Sequence, residues 1–154
     1  MSELLERRFV QCPYNLAQGY LTRIVGAQAG APGPLTLRLA LPGAELVKEV
    51  IVTYDAAVDP MHFDEPWHVH WKPKSGPYPE FDGELTVRAD ETYESCRLEL
   101  KGSYRPPGGA LGAAFDRVVG NRIAEATAQA LLERVGAELA ARYAADEKTK
   151  ALDA

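Results

Sequence analysis

Between Ala110 and about Tyr143 the chain contains no proline and is rich in Ala, Leu, Glu and Arg, which are strong helix formers. Within this stretch Leu111, Phe115, Val119, Ile123, Thr127, Leu131, Val135, Leu139 and Tyr143 recur at strict four-residue spacing. At ~3.6 residues per turn, each step of four drifts about 40° around the axis. The spacing therefore predicts one long helix whose apolar row winds around it. The first half, Leu111 to Ile123, can lie on a sheet. Leu131, Val135 and Leu139 need a second apolar neighbour, either the segment from Tyr14 to Gln28 or another subunit.

The middle of the chain alternates with a period of two, the mark of strands with one dry and one wet face. Leu35, Leu37, Leu39 and Leu41 share a face, with Thr36 and Arg38 opposite, and Pro42-Gly43 marks a turn. Val50, Val52, Tyr54, Ala56 and Val58 alternate with Glu49, Ile51, Thr53 and Asp55. Trp67, Val69 and Trp71 flank His68 and His70; Leu85 and Val87 flank Thr86; Cys96, Leu98, Leu100, Gly102 and Tyr104 alternate with Arg97, Glu99 and Lys101. Connections this short leave no room for crossover helices, so an antiparallel meander is expected. Ahead of it, residues 4–12 read as a strand ending at Pro13. Leu16, Tyr20, Leu21, Ile24 and Val25 have helical spacing, as one helix or as two broken at Gly19.

The expectation is an α+β domain over residues 1–143, with a polar, frayed tail over 144–154. A length of 154 residues suits one domain, and 46% hydrophobic with 25% charged residues is an ordinary globular balance. The net charge of −5 argues against binding nucleic acid or an anionic membrane surface. No apolar run is long enough for a membrane span, and the N-terminus has no signal-peptide core. Cys12 and Cys96 form no CxxC motif and read as buried reduced thiols, consistent with a cytoplasmic protein.

The order strand, short helix, meander, long final helix resembles the START-like, or SRPBCC, superfamily with its helix-grip fold. The residues that carry the resemblance are Trp71-Lys72-Pro73, Phe81-Asp82-Gly83-Glu84-Leu85 and the run from Leu98 to Gly108 (LELKGSYRPPG). Gly112, Phe115, Asp116, Val119, Gly120, Arg122, Ile123 and Ala124 continue it into the helix. It is similar to bacterial members of unassigned function. The resemblance implies a curved sheet of six or seven strands gripping the C-terminal helix. Six are counted, and a seventh is expected near Val25 or Ala44. It also implies a cavity between sheet and helix, as in members that carry lipids, sterols or polyketides, or cyclise polyketides. No functional residue carries over from it.

The cavity lining expected from the dry faces is Tyr54, Val69, Trp71, Leu85, Val87, Leu98, Leu100, Tyr104, Phe115, Val119 and Ile123. Small residues at Ala56, Ala89, Gly102, Gly112, Ala126 and Ala130 leave room for ~300 Å³ or more. The leading function is binding of a hydrophobic or amphipathic small molecule, with no cofactor and with a homodimer possible. A polyketide cyclase or aromatase would need polar groups inside, and Tyr54, Tyr104 and Arg122 are the candidates. A protein-interaction module with a closed cavity is the third reading. Trp67, Trp71 and Phe81 could stack on a planar ligand or pack as core. His62, His68 and His70, with Asp64 and Glu65 nearby, are expected to line a wet face and to hold no metal, because spacing fixes no third ligand. Neither cysteine has a nearby activating group, and no nucleophile elbow, P-loop or dinucleotide fingerprint is present.

Overall fold

A computed structural model describes residues 2–26, 33–41, 44–55, 67–75, 78–105 and 117–153. Strand β1 (Ser2–Val10) is followed by α1 (Tyr14–Gly26), then β2 (Gly33–Leu41), β3 (Ala44–Asp55), β4 (Trp67–Pro73), β5 (Glu80–Ala89) and β6 (Cys96–Arg105), and the chain closes with α2 (Arg117–Asp153). The strands form one six-stranded sheet in the order β1-β6-β5-β4-β3-β2, every neighbouring pair antiparallel. This is the expected meander, closed by β1 pairing with β6. The seventh strand expected near Val25 or Ala44 is not found at either place: Val25 lies in α1 and Ala44 opens β3.

Alternation in the sequence becomes alternation in burial. Val50, Val52, Tyr54, Trp67, Val69, Trp71, Leu85, Val87, Leu98, Leu100 and Tyr104 are all buried. His68, Glu84, Arg88, Arg97 and Lys101 on the other face are exposed. A one-residue slip would exchange the two sets, so burial fixes the register.

Helix α1 is continuous through Gly19, which is exposed and has open space where a Cβ would be. Ala17, Tyr20, Leu21, Ile24 and Val25 form its buried stripe, at spacings of three and four. Pro13 supplies the first carbonyl, accepting from Leu16 and Ala17 at 3.1 and 3.0 Å. The amide of Tyr14 has no partner within the helix and donates instead to Tyr93 O at 3.0 Å, which ties the helix start to the β5–β6 turn.

Helix α2 runs on past Tyr143 to Asp153, so the tail expected to fray is helical. Ala, Glu, Lys and Leu dominate this extension. Lys150 reaches Glu147 at 3.4 Å, and Tyr20 of α1 bonds to Asp146. Residues 110–116, expected as the first turns of the helix, lie outside the described residues.

The helix packs on β1 along one edge of the sheet with β6 beside it, on β2 at the opposite edge, and on α1. Among the described residues it makes no comparable approach to β3, β4 or β5. Contact with β1 is tight at Gly136, where a Cβ would stand 3.2 Å from Val10 Cγ2. Leu131, Val135 and Leu139 are buried within the single chain. Leu131 and Val135 meet Ile24 and Val25 of α1 together with Leu35 and Val52 from the β2–β3 side. The winding row therefore finds its second neighbour in α1 and does not require a second subunit.

Candidate ligand-binding site

The dry face is organised in rows that cross the strands. One row runs Val52, Trp71, Phe81, Tyr104, and the next runs Tyr54, Val69, Gly83, Gly102, Leu4. A third pairs Trp67, Leu85 and Leu100. The second row has a gap in its side chains, because Gly83 and Gly102 face each other across β5 and β6. A Cβ on Gly83 would lie 2.5 Å from Phe81 Cζ and 2.8 Å from Gly102 Cα. A Cβ on Gly102 would lie 2.5 Å from Gly83 Cα and 2.8 Å from Phe81 Cζ. Glycine inside a strand marks such a close approach. The ring of Phe81 occupies the gap and Trp71 stacks on it, centroids 4.2 Å apart and planes 17° apart. The core reading of these two rings is the one realised, since they stack on each other.

Trp71 is wholly buried, and its Nε1 is the one buried side-chain polar atom among the described residues without a hydrogen-bond partner. A buried donor left unpaired costs about 1–3 kcal/mol. Its neighbours are better served. Tyr104 donates to Asn121 Oδ1 at 2.7 Å, and Asn121 donates to Glu125 at 3.0 Å. Tyr78 shares a hydrogen bond with Thr127, whose hydroxyl also lies 2.7 Å from the Ile123 carbonyl. Burial pushes the Tyr78 hydroxyl pKa up, and the bond to Thr127 opposes the rise.

Tyr54 sits apart, in a cleft of about 30 Å³ bounded by Ile24, Val25, Leu35, Val52, Leu131 and Val135, with Arg134 and Glu138 also on its wall. That volume holds roughly two water molecules, not a ligand. Burial raises the Tyr54 pKa from 10.0 to about 12; Arg134 pulls it down and Glu138 pushes it further up.

Of the expected lining, Tyr54, Val69, Trp71, Leu85, Val87, Leu98, Leu100, Tyr104 and Ile123 are all buried, the strand residues on one face of the sheet and Ile123 on α2. Phe115, Ala56 and Gly112 lie outside the described residues, as does the side chain of Val119. Arg122, the third candidate for a reacting group, is exposed on α2 and does not join the tyrosines. Tyr78, Asn121 and Gly83 were missed. The glycine was legible, as an isolated glycine in a strand pattern.

His68 and His70 are on the wet face. His68 pairs through Nε2 with Asp82 and lies 3.9 Å from Asp55 through Nδ1. Among the described residues no group of three His, Cys, Asp or Glu side chains could hold a metal; His62, Asp64 and Glu65 lie outside them. His70, Asp82, Ser103, Glu80 and Arg105 border a hollow of about 250 Å³ on this outer face. Cys12 and Cys96 are buried free thiols. Burial first, then Cys12 and Asp90, raise the Cys96 pKa to about 12, which favours the protonated thiol near neutral pH.

No family model and no curated protein matches the chain. Solved structures do. The crystal structure of TTHA0849 from Thermus thermophilus superposes with a TM-score of 0.51 at 13% identity, over 92% of this chain and 99% of that one. The crystal structure of Zhui aromatase/cyclase from Streptomyces sp. R1128 superposes with a TM-score of 0.55 at 13% identity, over 90% and 93% of the two chains. The likeness is one of fold. The chain has a helix-grip fold, a curved antiparallel sheet with a long C-terminal helix. No helix among the described residues is long and apolar enough to cross a membrane.

Proposed function

We propose that the chain binds a hydrophobic or amphipathic small molecule between the concave face of its sheet and α2, as a carrier or sensor rather than a catalyst. The observation that carries this reading is how the helix is supported. Its backbone rests on the two edges of the sheet and on α1, and among the described residues it makes no comparable approach to the middle strands. Beneath the span, Val69, Trp71, Leu85, Leu98 and Leu100 form the apolar, fully buried face of the middle strands and β6. A site of this kind, apolar with few polar groups, is the common form of a small-molecule pocket. The ligand is of lipid, sterol or polyketide type, and Phe115 and Val119 are proposed to complete its lining.

A cyclase or aromatase, as the name of the Streptomyces structure suggests, would need polar groups converging on the substrate. Tyr104 is held by Asn121, and Arg122 is exposed. Tyr54 faces Arg134 and Glu138 in a cleft of about 30 Å³, too small for a substrate, and binding is the better reading.

Native mass spectrometry of freshly purified protein, followed by titration of the stripped protein with fluorene, tests it. A co-purified apolar molecule, or saturable one-to-one uptake of fluorene, is expected. A folded protein that carries nothing and takes up no fluorene would overturn the reading and move attention to the outer face. The same spectrum gives the subunit count.

A further inference from the structure

We infer that the molecule held between sheet and helix carries a neutral acceptor oxygen, a ketone, ester, ether or hydroxyl, that takes a hydrogen bond from Trp71 Nε1; this rests on the binding reading above. The indole is the one interior donor left open among the described residues. It cannot readily turn to find a partner, because its ring is clamped against Phe81 and Phe81 is seated over the Gly83–Gly102 gap. No described group accepts from it: the Tyr104 hydroxyl bonds to Asn121 and the Tyr78 hydroxyl to Thr127. The described residues leave the donor open, and the proposed ligand supplies the acceptor. A pure hydrocarbon would leave the donor unmade. A carboxylate would bring a charge into an interior where, among the described residues, the buried polar or charged positions are Ser95 and Thr127, with no cation to offset it. A neutral oxygen on an apolar body meets both conditions.

The test uses three rigid probes of nearly one shape: fluorene, 9-fluorenone and fluorene-9-carboxylate. Calorimetric titrations of the wild-type protein should show fluorenone binding about three- to tenfold more tightly than fluorene, and the carboxylate more weakly than either. Trp71→Phe should abolish the preference for fluorenone while keeping affinity for fluorene. In nitrogen-resolved proton spectra of the wild-type protein, the Trp71 indole N–H, told from that of Trp67 by a Trp67→Phe variant, should move downfield with fluorenone and stay in place with fluorene. This second measurement stands even if Trp71→Phe does not fold. Equal affinities for fluorene and fluorenone with an unmoved indole signal would overturn the inference and leave the binding reading intact. Tightest binding of the carboxylate would overturn the requirement for a neutral oxygen. An indole N–H that exchanges with water equally fast with and without fluorenone would show water as its partner and overturn the inference too. Failure of all three probes to bind would overturn both readings together.

Discussion

Tyr20 of α1 donates a 2.5 Å hydrogen bond to Asp146 Oδ2 of α2, joining the second element of the fold to the last. Arg23 lies 6.0 Å from the centre of the same tyrosine ring. The bond lies beyond the apolar row, on a stretch of α2 whose residues are exposed. Tyr20→Phe is expected to leave the body of α2 protected and to speed hydrogen exchange of the amides after Asp146. Mass spectrometry of peptides covering residues 120–139 and 144–153 separates the two. Equal change in both segments would mean that the bond does not anchor the extension.

Tyr54 links the small cleft to alkaline stability. Its folded pKa is raised from 10.0 to about 12, chiefly by burial. The unfolded chain ionises this phenol near its ordinary value, whereas the folded chain resists doing so. Stability is therefore intact below pH 10 and declines as pH rises toward 12, by on the order of 2 kcal/mol from this group. Urea titrations at stepped pH should show a shallower alkaline decline for Tyr54→Phe than for wild type. Parallel curves would refute the assignment.

The glycines differ in what they permit. Gly102→Ala would place a methyl group 2.5 Å from Gly83 Cα and 2.8 Å from the Phe81 ring. We expect a loss of ~1–3 kcal/mol, from overpacking, and a weakened near-ultraviolet circular dichroism signal as the Trp71–Phe81 stack is displaced. Gly19→Ala meets nothing within 4 Å on an exposed helix surface. It should raise stability by ~0.5–1 kcal/mol. Melting curves of the two variants should move in opposite directions.

Leucines on α2 provide a depth gauge. Leu139 is 0% exposed and Leu152 is 77% exposed. Leu139→Ala should cost about 2–5 kcal/mol, as large-to-small changes in a packed core do. Leu152→Ala should stay within ~0.5 kcal/mol of wild type. Similar denaturation midpoints for the two would contradict the burial of the winding row.

Much of this fold was legible because burial writes a period into the sequence. Val50, Val52 and Tyr54, like Trp67, Val69 and Trp71, announced their face by alternation. The four-residue row announced both a helix and its need for a second apolar neighbour, which is α1. Thr127 is a polar member of that otherwise apolar row, and its partner is Tyr78, forty-nine residues away and bonded to it. The Tyr104–Asn121 pair is hidden in the same way, since a side-chain hydrogen bond between distant residues leaves no period behind. The length of α2 was underestimated at its C-terminal end because polar helix formers such as those from Ala144 to Leu152 mark a solvated helix and a loose tail alike. Arg122 was placed inward on its chemistry, but its position on α2 turns it outward.

The closing pair of the sheet sets the order in which this protein can be built. Ser2 pairs with Tyr104 and Val10 with Cys96, so the first strand of the sheet to be synthesised takes its hydrogen bonds from the last. Until β6 leaves the ribosome, β1 waits as an open edge with Leu5 and Phe9 in water, and α2, which packs on β1, has no complete floor to settle on. Long-range closure of this kind slows folding and prolongs exposure of an unpaired strand. A nascent chain halted before Cys96 holds five strands and no partner for β1, so the face on which α2 packs is complete only after β6 has followed.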